Sequence, residues 1–273
     1  MTLVLAHQCC AGNSVAAAGG MLKPGNGSNQ LRSRSIPSTT AVLAENSSAD
    51  SPAALARKAR SCNKMLESDE ALDLCNRAIA QDKGYAPAYI ERSQAYVLLG
   101  KKGEALADLT MAAKDKRYRV EALYDRAKLY VALRRYNDAI SDLNTIMVGA
   151  GGDGQYCLRA RAFAALHKPL LAASDLTEAL KLKPHDYGIL LDRSEAYLQS
   201  HQLDKALADY NELIKIDERN NEGMANPQLY KDRATVYGLL GKKKLAELDS
   251  QRAREIEKAN IENAPFRLER NAH

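Results

Sequence analysis

Five arginines in this chain are each followed sixteen residues later by an aspartate: Arg92 and Asp108, Arg126 and Asp142, Arg159 and Asp175, Arg193 and Asp209, Arg233 and Asp249. A guanidinium can hold a carboxylate through two parallel N–H···O bonds, so this spacing marks candidate ion pairs. Taken alone, the arginines would equally serve as a row of anion-binding groups. Every one has its own acid, however, and Lys58 and Leu74, at the equivalent places one step earlier, lack both partners together. Joint presence and joint absence favour internal pairs that tie two segments to each other.

A second candidate is "GAGGDG", residues 149–154, between "TIMV" and "QYCLRARAFAAL". G-x-G-x-x-G between a strand and a helix is a dinucleotide-binding turn, and Asp175 lies where the ribose-binding acid would stand. That reading requires a βαβ context. No paired-carboxylate, Ser-His-Asp or Cys-His arrangement stands out. The cysteines Cys9, Cys10, Cys62, Cys75 and Cys157 include no CxxC pair, and the five histidines form no HExxH. No catalytic, metal-binding or cofactor-binding residue is expected.

The elements that hold these residues are helices. The 273 residues include no Trp and two Phe, but many Ala, Leu, Lys and Glu. Those are helix formers, and the material for a buried parallel sheet is scarce. The net charge of +5 is interleaved with acids. That describes a solvated helical surface better than a nucleic-acid footprint, and a nucleic-acid partner is not expected. No apolar run approaches the roughly 18 residues of a membrane span.

From Pro52 the chain repeats with a period of about 34 residues. Frames begin at 52, 86, 120, 153, 187 and 227, and slots are counted within them. Slot twenty is Ala71, Ala105, Ala139, Ala172, Ala206 and Ala246. Slot eight is Ala59, Ser93, Ala127, Ala160, Ser194 and Ala234, always small. Slot eleven is Cys62 and then a ring: Tyr96, Tyr130, Phe163, Tyr197 and Tyr237. Slots four, eight and eleven recur at helical spacing, as do twenty, twenty-four and twenty-seven. Each frame therefore predicts two amphipathic helices and a tight turn, for example near Gly100 or Gly241. The arginines fall at slot seven and the aspartates at slot twenty-three, one on each helix. "TIMV" becomes the end of a helix, and the glycines become a helix C-cap and an inter-repeat turn. Glu247, Ser250 and Arg254 predict a polar outer face on the last helix, and "NEGMAN" (221–226) predicts a loop.

The period, the small residue at slot eight, the ring at eleven, Ala at twenty and Pro184 at thirty-two resemble the tetratricopeptide repeat (TPR) family. Strings such as "YDRAKLYVALRRYNDAISDL" carry the likeness, which covers residues 52–260. It implies an all-α, right-handed superhelical solenoid of about six helix-turn-helix repeats, near 52–85, 86–119, 120–152, 153–186, 187–220 and 227–260, with a tail at 261–273. It also implies a non-enzymatic scaffold that binds a protein or peptide in a concave groove. In the family that groove is lined by slots two, five, nine and twelve of the first helices. Carried over, these give Ile90, Tyr124, Cys157 and Leu191 at slot five. Slot nine gives Gln94, Lys128, Arg161 and Glu195, and slot twelve gives Val97, Val131 and Leu198. The alternative for these residues is that neighbouring first helices simply contact one another there. An apolar floor beside Lys128 and Arg161 suits a peptide with an apolar anchor and an acid. An RNA-binding helical repeat and a dinucleotide enzyme using 149–154 are the alternative functions. Chaperone-tail-binding TPR domains carry a Lys/Asn/Asn/Lys/Arg clamp. Its places here hold Ala56, Arg60, Glu91, Glu121 and Asp125, and three acids would repel a carboxylate.

Residues 1–51 are a different polymer, rich in Gly, Ser, Asn and Pro, with no acid before Glu45. They read as a disordered segment, with organelle targeting as the alternative to a plain tail on a cytoplasmic protein.

Overall fold

The first helix of every frame ends in the same left-handed turn. Slot fifteen is Leu66, Gly100, Arg134, His167, His201 and Gly241, with φ of 65°, 74°, 58°, 56°, 57° and 72°. The next residue donates its N–H to the slot-eleven carbonyl. Glu67 reaches Cys62, Lys101 reaches Tyr96, Arg135 reaches Tyr130, Lys168 reaches Phe163, Gln202 reaches Tyr197 and Lys242 reaches Tyr237, all at 2.8–2.9 Å. This six-to-one bond satisfies a carbonyl that the helix end would otherwise orphan. Glycine adopts the conformation without penalty at two of the turns, and four side-chain-bearing residues adopt it elsewhere.

A computed structural model of the chain describes residues 51–148, 151–220 and 225–270, with side chains through residue 262. Expectations for residues 1–50, for Gly149 and Ala150, and for residues 221–224 lie outside the described residues. The helices are α1 (Pro52–Lys64), α2 (Ser68–Gln81), α3 (Ala86–Leu98), α4 (Lys102–Ala112), α5 (Arg119–Ala132), α6 (Tyr136–Ile146), α7 (Asp153–Ala165), α8 (Pro169–Leu182), α9 (Tyr187–Gln199), α10 (Leu203–Asn220), α11 (Pro227–Leu239) and α12 (Lys243–Arg270). Among the described residues there is no strand. The fold is the all-α array of helix-turn-helix repeats, one hairpin per frame. Prolines mark several starts: Pro52, Pro87, Pro169 and Pro227 sit in first turns, where no N–H is needed. Ser51, Asp186 and Asn226 cap α1, α9 and α11 with side-chain oxygens.

The chain divides into two units, residues 1–126 and 127–273, with the division inside α5. In the first unit Leu55, Ala59, Ala71, Cys75 and Ala78 pack with Ala88 and Ala95, while Tyr89, Ile90, Ala112 and Ala122 form a second cluster. In the second unit Ala160, Ala172, Leu176 and Ile189 form one cluster. Tyr210, Leu213, Leu229, Tyr230 and Ile256 form another. Slot eight is buried in all six frames, and slot twenty in the first five. Small residues there let the two helices of a hairpin approach, and no larger side chain would fit without displacing one of them.

The structure departs from the sequence-based expectations at two places. Helix α6 ends at Ile146 and its C-cap Met147 has φ −93°, so the described glycines supply no left-handed cap. Gly152 instead stands at the N-cap of α7, its N–H bonded to Gln155 Oε1 at 2.8 Å, and Gly154 lies inside that helix. Helix α12 runs on to Arg270, through the expected boundary at 260 between the last repeat and the tail. On its outer face Glu247 and Arg254 are exposed and Ser250 is half-buried, while the exposed Leu245 and Leu248 lie on other sides of the helix. Ala225 and Asn226, the described end of the 221–226 loop, are tied down. The Asn226 N–H donates to Asp217 Oδ2 at 2.6 Å, and Asn260 Nδ2 donates to the Ala225 carbonyl at 3.3 Å. No helix among the described residues is long and apolar enough to cross a membrane.

Candidate functional site

Four of the slot-seven arginines each hold an aspartate through two bonds. Arg92 Nε and Nη2 donate to the two oxygens of Asp108 at 2.8 and 2.7 Å. Arg159 does the same to Asp175, Arg193 to Asp209 and Arg233 to Asp249, with all distances between 2.6 and 2.9 Å. The four aspartates are buried. Rings close over the guanidinium. Tyr89 and Tyr96 lie 5.4 and 5.8 Å from Arg92, Tyr230 and Tyr237 lie 5.5 and 5.8 Å from Arg233, and Phe163 and Tyr197 flank Arg159 and Arg193. The hydrogen bonds to aspartate hold Arg92, Arg159 and Arg233 above the ordinary arginine value against the opposing effect of burial. Asp142 is buried as well. Arg126 lies in the first unit and Asp142 in the second.

A third partner of each arginine has no counterpart in the repeat pattern of the sequence. Nη1 donates to slot twenty-five of the preceding frame: Arg92 to Asn76 at 2.7 Å, Arg126 to Thr110 at 2.9 Å, Arg159 to Asn144 at 2.7 Å, Arg193 to Thr177 at 3.2 Å and Arg233 to Asn211 at 2.7 Å. Two residue types alternate at that slot, so no repeated letter signals it.

The groove candidates divide by slot. At slot nine Gln94, Lys128, Arg161 and Glu195 are exposed, as are Arg60 and Thr235 in the outer frames. At slot five Ile90 is 1 % exposed and Cys157 is buried, while Tyr124 and Leu191 are half-buried. Ile90 and Cys157 therefore belong to the packed interior, where they contact neighbouring helices rather than offering area to a partner. At slot twelve Val97 is 43 % exposed, and Val131 and Leu198 are half-buried. Tyr124 falls in the first unit; Lys128, Val131, Arg161, Leu191, Glu195 and Leu198 fall in the second.

Two of the residues at the chaperone-clamp places, Arg60 and Glu91, are paired with each other. Arg60 Nε donates to Glu91 Oε1 at 2.6 Å. Asn63 Nδ2 donates to the Glu91 carbonyl at 2.9 Å and to Oε2 at 3.4 Å. Glu91 is 1 % exposed, and its hydrogen bond raises the Arg60 pKa. The cysteines Cys62, Cys75 and Cys157 are buried thiols. Burial pushes the Cys75 thiol up to about 12 and raises that of Cys62.

The glycine-rich turn has no strand before it: Thr145 and Ile146 belong to α6. Asp175, the would-be ribose acid, is occupied by Arg159. Gly151 is nonetheless closely packed, since a Cβ there would lie 2.6 Å from Met147 Cε and 3.1 Å from the Tyr156 ring.

Residues 157–221 match the model of a tetratricopeptide repeat family. The chain is 31% identical over 140 residues to DnaJ homolog subfamily C member 3 of Bos taurus, a match covering 47% of this chain and 28% of that protein. The human protein of the same name is 29% identical over 140 residues, with the same coverage. The chain thus spans little more than a quarter of these relatives. Among solved structures, YrrB, described as a TPR protein with an unusual peptide-binding site, superposes with a TM-score of 0.59 at 18% identity, over 68% of this chain and 94% of that one. The C-terminal part of a TPR repeat-containing protein from Cytophaga hutchinsonii gives a TM-score of 0.66 at 14% identity, over 81% and 88%. These likenesses concern the fold. Residues 157–221 thus carry tetratricopeptide repeats, and the chain has the fold of tetratricopeptide repeat proteins.

Proposed function

We propose that the chain is a non-enzymatic scaffold that takes a peptide segment along the first helices of its repeats. The observation that carries this is the split between slots five and nine. Slot nine is exposed in all six frames, while slot five is buried in three of them. A first helix with a solvent-facing row above a packed row offers a surface without disturbing the core. In the second unit that surface presents Lys128 and Arg161 with the half-buried Val131 and Leu198. Two cations beside apolar area suit a segment with an acid near a hydrophobic anchor. Tyr124, a half-buried ring, is the strongest single candidate in the first unit. The peptide-binding site ascribed to YrrB, a protein of like fold, supports the same reading.

Selection of a phage-displayed random peptide library on the full chain tests this. Enriched peptides should share an apolar residue close to an acid. Lys128→Glu with Arg161→Glu should weaken them by about tenfold or more at unchanged melting temperature. Peptides that bind the double variant as tightly as the native chain would place recognition elsewhere.

A further inference from the structure

We propose that the slot-twenty-five side chains, Asn76, Thr110, Asn144, Thr177 and Asn211, are positioning residues that set the rotation of each repeat on its predecessor within a unit. They act through the arginine of the following repeat. In four of the five cases Nε and Nη2 are committed to an aspartate of the arginine's own hairpin, which fixes the plane of the guanidinium. A planar, rigid fork fixed in this way aims Nη1 in one direction. The acceptor waiting there belongs to the repeat before. A turn of one hairpin against the other bends that N–H···O bond, which weakens steeply below about 120°.

Three observations separate this from incidental contact. First, the acceptor is an amide oxygen in Asn76, Asn144 and Asn211 and a hydroxyl in Thr110 and Thr177. Different side chains deliver an oxygen to the same atom, so the position of the acceptor is retained and the residue type is not. Second, the chain between acceptor and arginine varies. The separation is 15 residues for Asn144, 16 for Asn76, Thr110 and Thr177, and 22 for Asn211. The bond survives the insertion, so connection length does not produce it. Third, Asn76, Thr110 and Asn144 are exposed. They fill no core, and Asn and Thr are poor choices inside a helix on propensity alone. Accepting the Nη1 hydrogen bond is the contact each of them makes with the next repeat. Gln251, at slot twenty-five of the last frame, bonds Glu255 in its own helix instead.

The second unit supplies the test. Spin labels on unnatural amino acids at positions 161 and 235, both exposed, report the spacing of first helices two repeats apart by dipolar spectroscopy in the full chain. Asn211→Leu should broaden the distance distribution and speed amide exchange across α11 by about tenfold, the scale of one lost charge-assisted bond. Asn211→Thr, which restores an oxygen as Thr177 does, should leave both readings native. Because Asn211 is half-buried, Asn144→Leu against Asn144→Thr repeats the exchange comparison at an exposed site, read on α7. A distribution unchanged in Asn211→Leu, or a threonine variant as disrupted as the leucine one, would overturn the proposal. The first would show that the bond does not set the rotation, and the second that asparagine packing does.

Discussion

The junction between the first two repeats and the junction between the last two are built on one plan and charged in opposite ways. At each, slot nine of one first helix approaches slot six of the next. In the first unit these are Arg60 and Glu91, joined at 2.6 Å, with the acid 1 % exposed. In the second unit they are Glu195 and Asp232, two carboxylates. Asp232 is half-buried and accepts a hydrogen bond from Gln228 Nε2 at 2.7 Å, while burial and then the Glu195 charge raise its pKa. The same hairpin geometry thus tolerates an attractive pair and a repulsive one. The stacking of repeats is decided by what the junctions share, which is the packed small residues and the arginine cradle. Slot nine against slot six only tunes it.

The sharpest way to break this contrast is at Arg60. Arg60→Met would strand the Glu91 carboxylate in the interior with Asn63 as its remaining side-chain donor, and should cost about 3 kcal/mol in urea denaturation. Glu91→Gln removes the same pair but leaves its charge on a half-exposed arginine that returns to water, so about 1 kcal/mol is expected. Equal losses would mean that the buried carboxylate is not the vulnerable partner.

The turn at slot fifteen should be blind to the contrast, because both regions use it identically. Leu66→Gly in the first repeat and His201→Gly in the fifth should each raise stability by about 0.5–1 kcal/mol, seen as higher melting temperatures. Gains that differ markedly would show that the side chains at those turns do more than tolerate a left-handed backbone.

The smallest effect concerns Asp232. Burial, and then the Glu195 charge, lift its pKa, with the Gln228 hydrogen bond opposing them. An acid raised in the native state binds its proton more tightly there than in the unfolded chain. The stability it contributes is present below the unfolded value, about 3.9, and is lost as pH rises through the native one. Asp232→Asn should therefore be slightly more stable than the native chain near neutrality, by no more than about half a kcal/mol. That advantage should vanish as pH falls through about 4. Melting curves at pH 7 and pH 4 would show it, and an advantage that persists at the lower pH would assign it to packing.

What is legible in this sequence is whatever recurs as a letter. The alanines of slot twenty and the Arg–Asp spacing recur, and the hairpins follow from them directly. Asn144 and Thr177 occupy one functional place with different letters, so the third arm of each arginine is silent in the sequence. Ile90 and Cys157 illustrate a different limit. A residue facing a groove and one in the seam between neighbouring first helices share the same helical period, and only the depth of packing tells them apart. Gly152 and Gly154 illustrate a third. Glycine marks departure from regular structure, but not whether it closes the helix behind or opens the one ahead.

The buried thiols give the molecule its own clock. Only a thiolate attacks an alkylating or disulfide reagent, and a thiol as deeply enclosed as Cys75 is neither ionised nor reachable while its hairpin is closed. Modification at Cys62 and Cys75 therefore times the opening of the first hairpin, and modification at Cys157 times that of the fourth. A native chain left with a labelling reagent writes the order of its own fraying into the sequence of cysteines it loses.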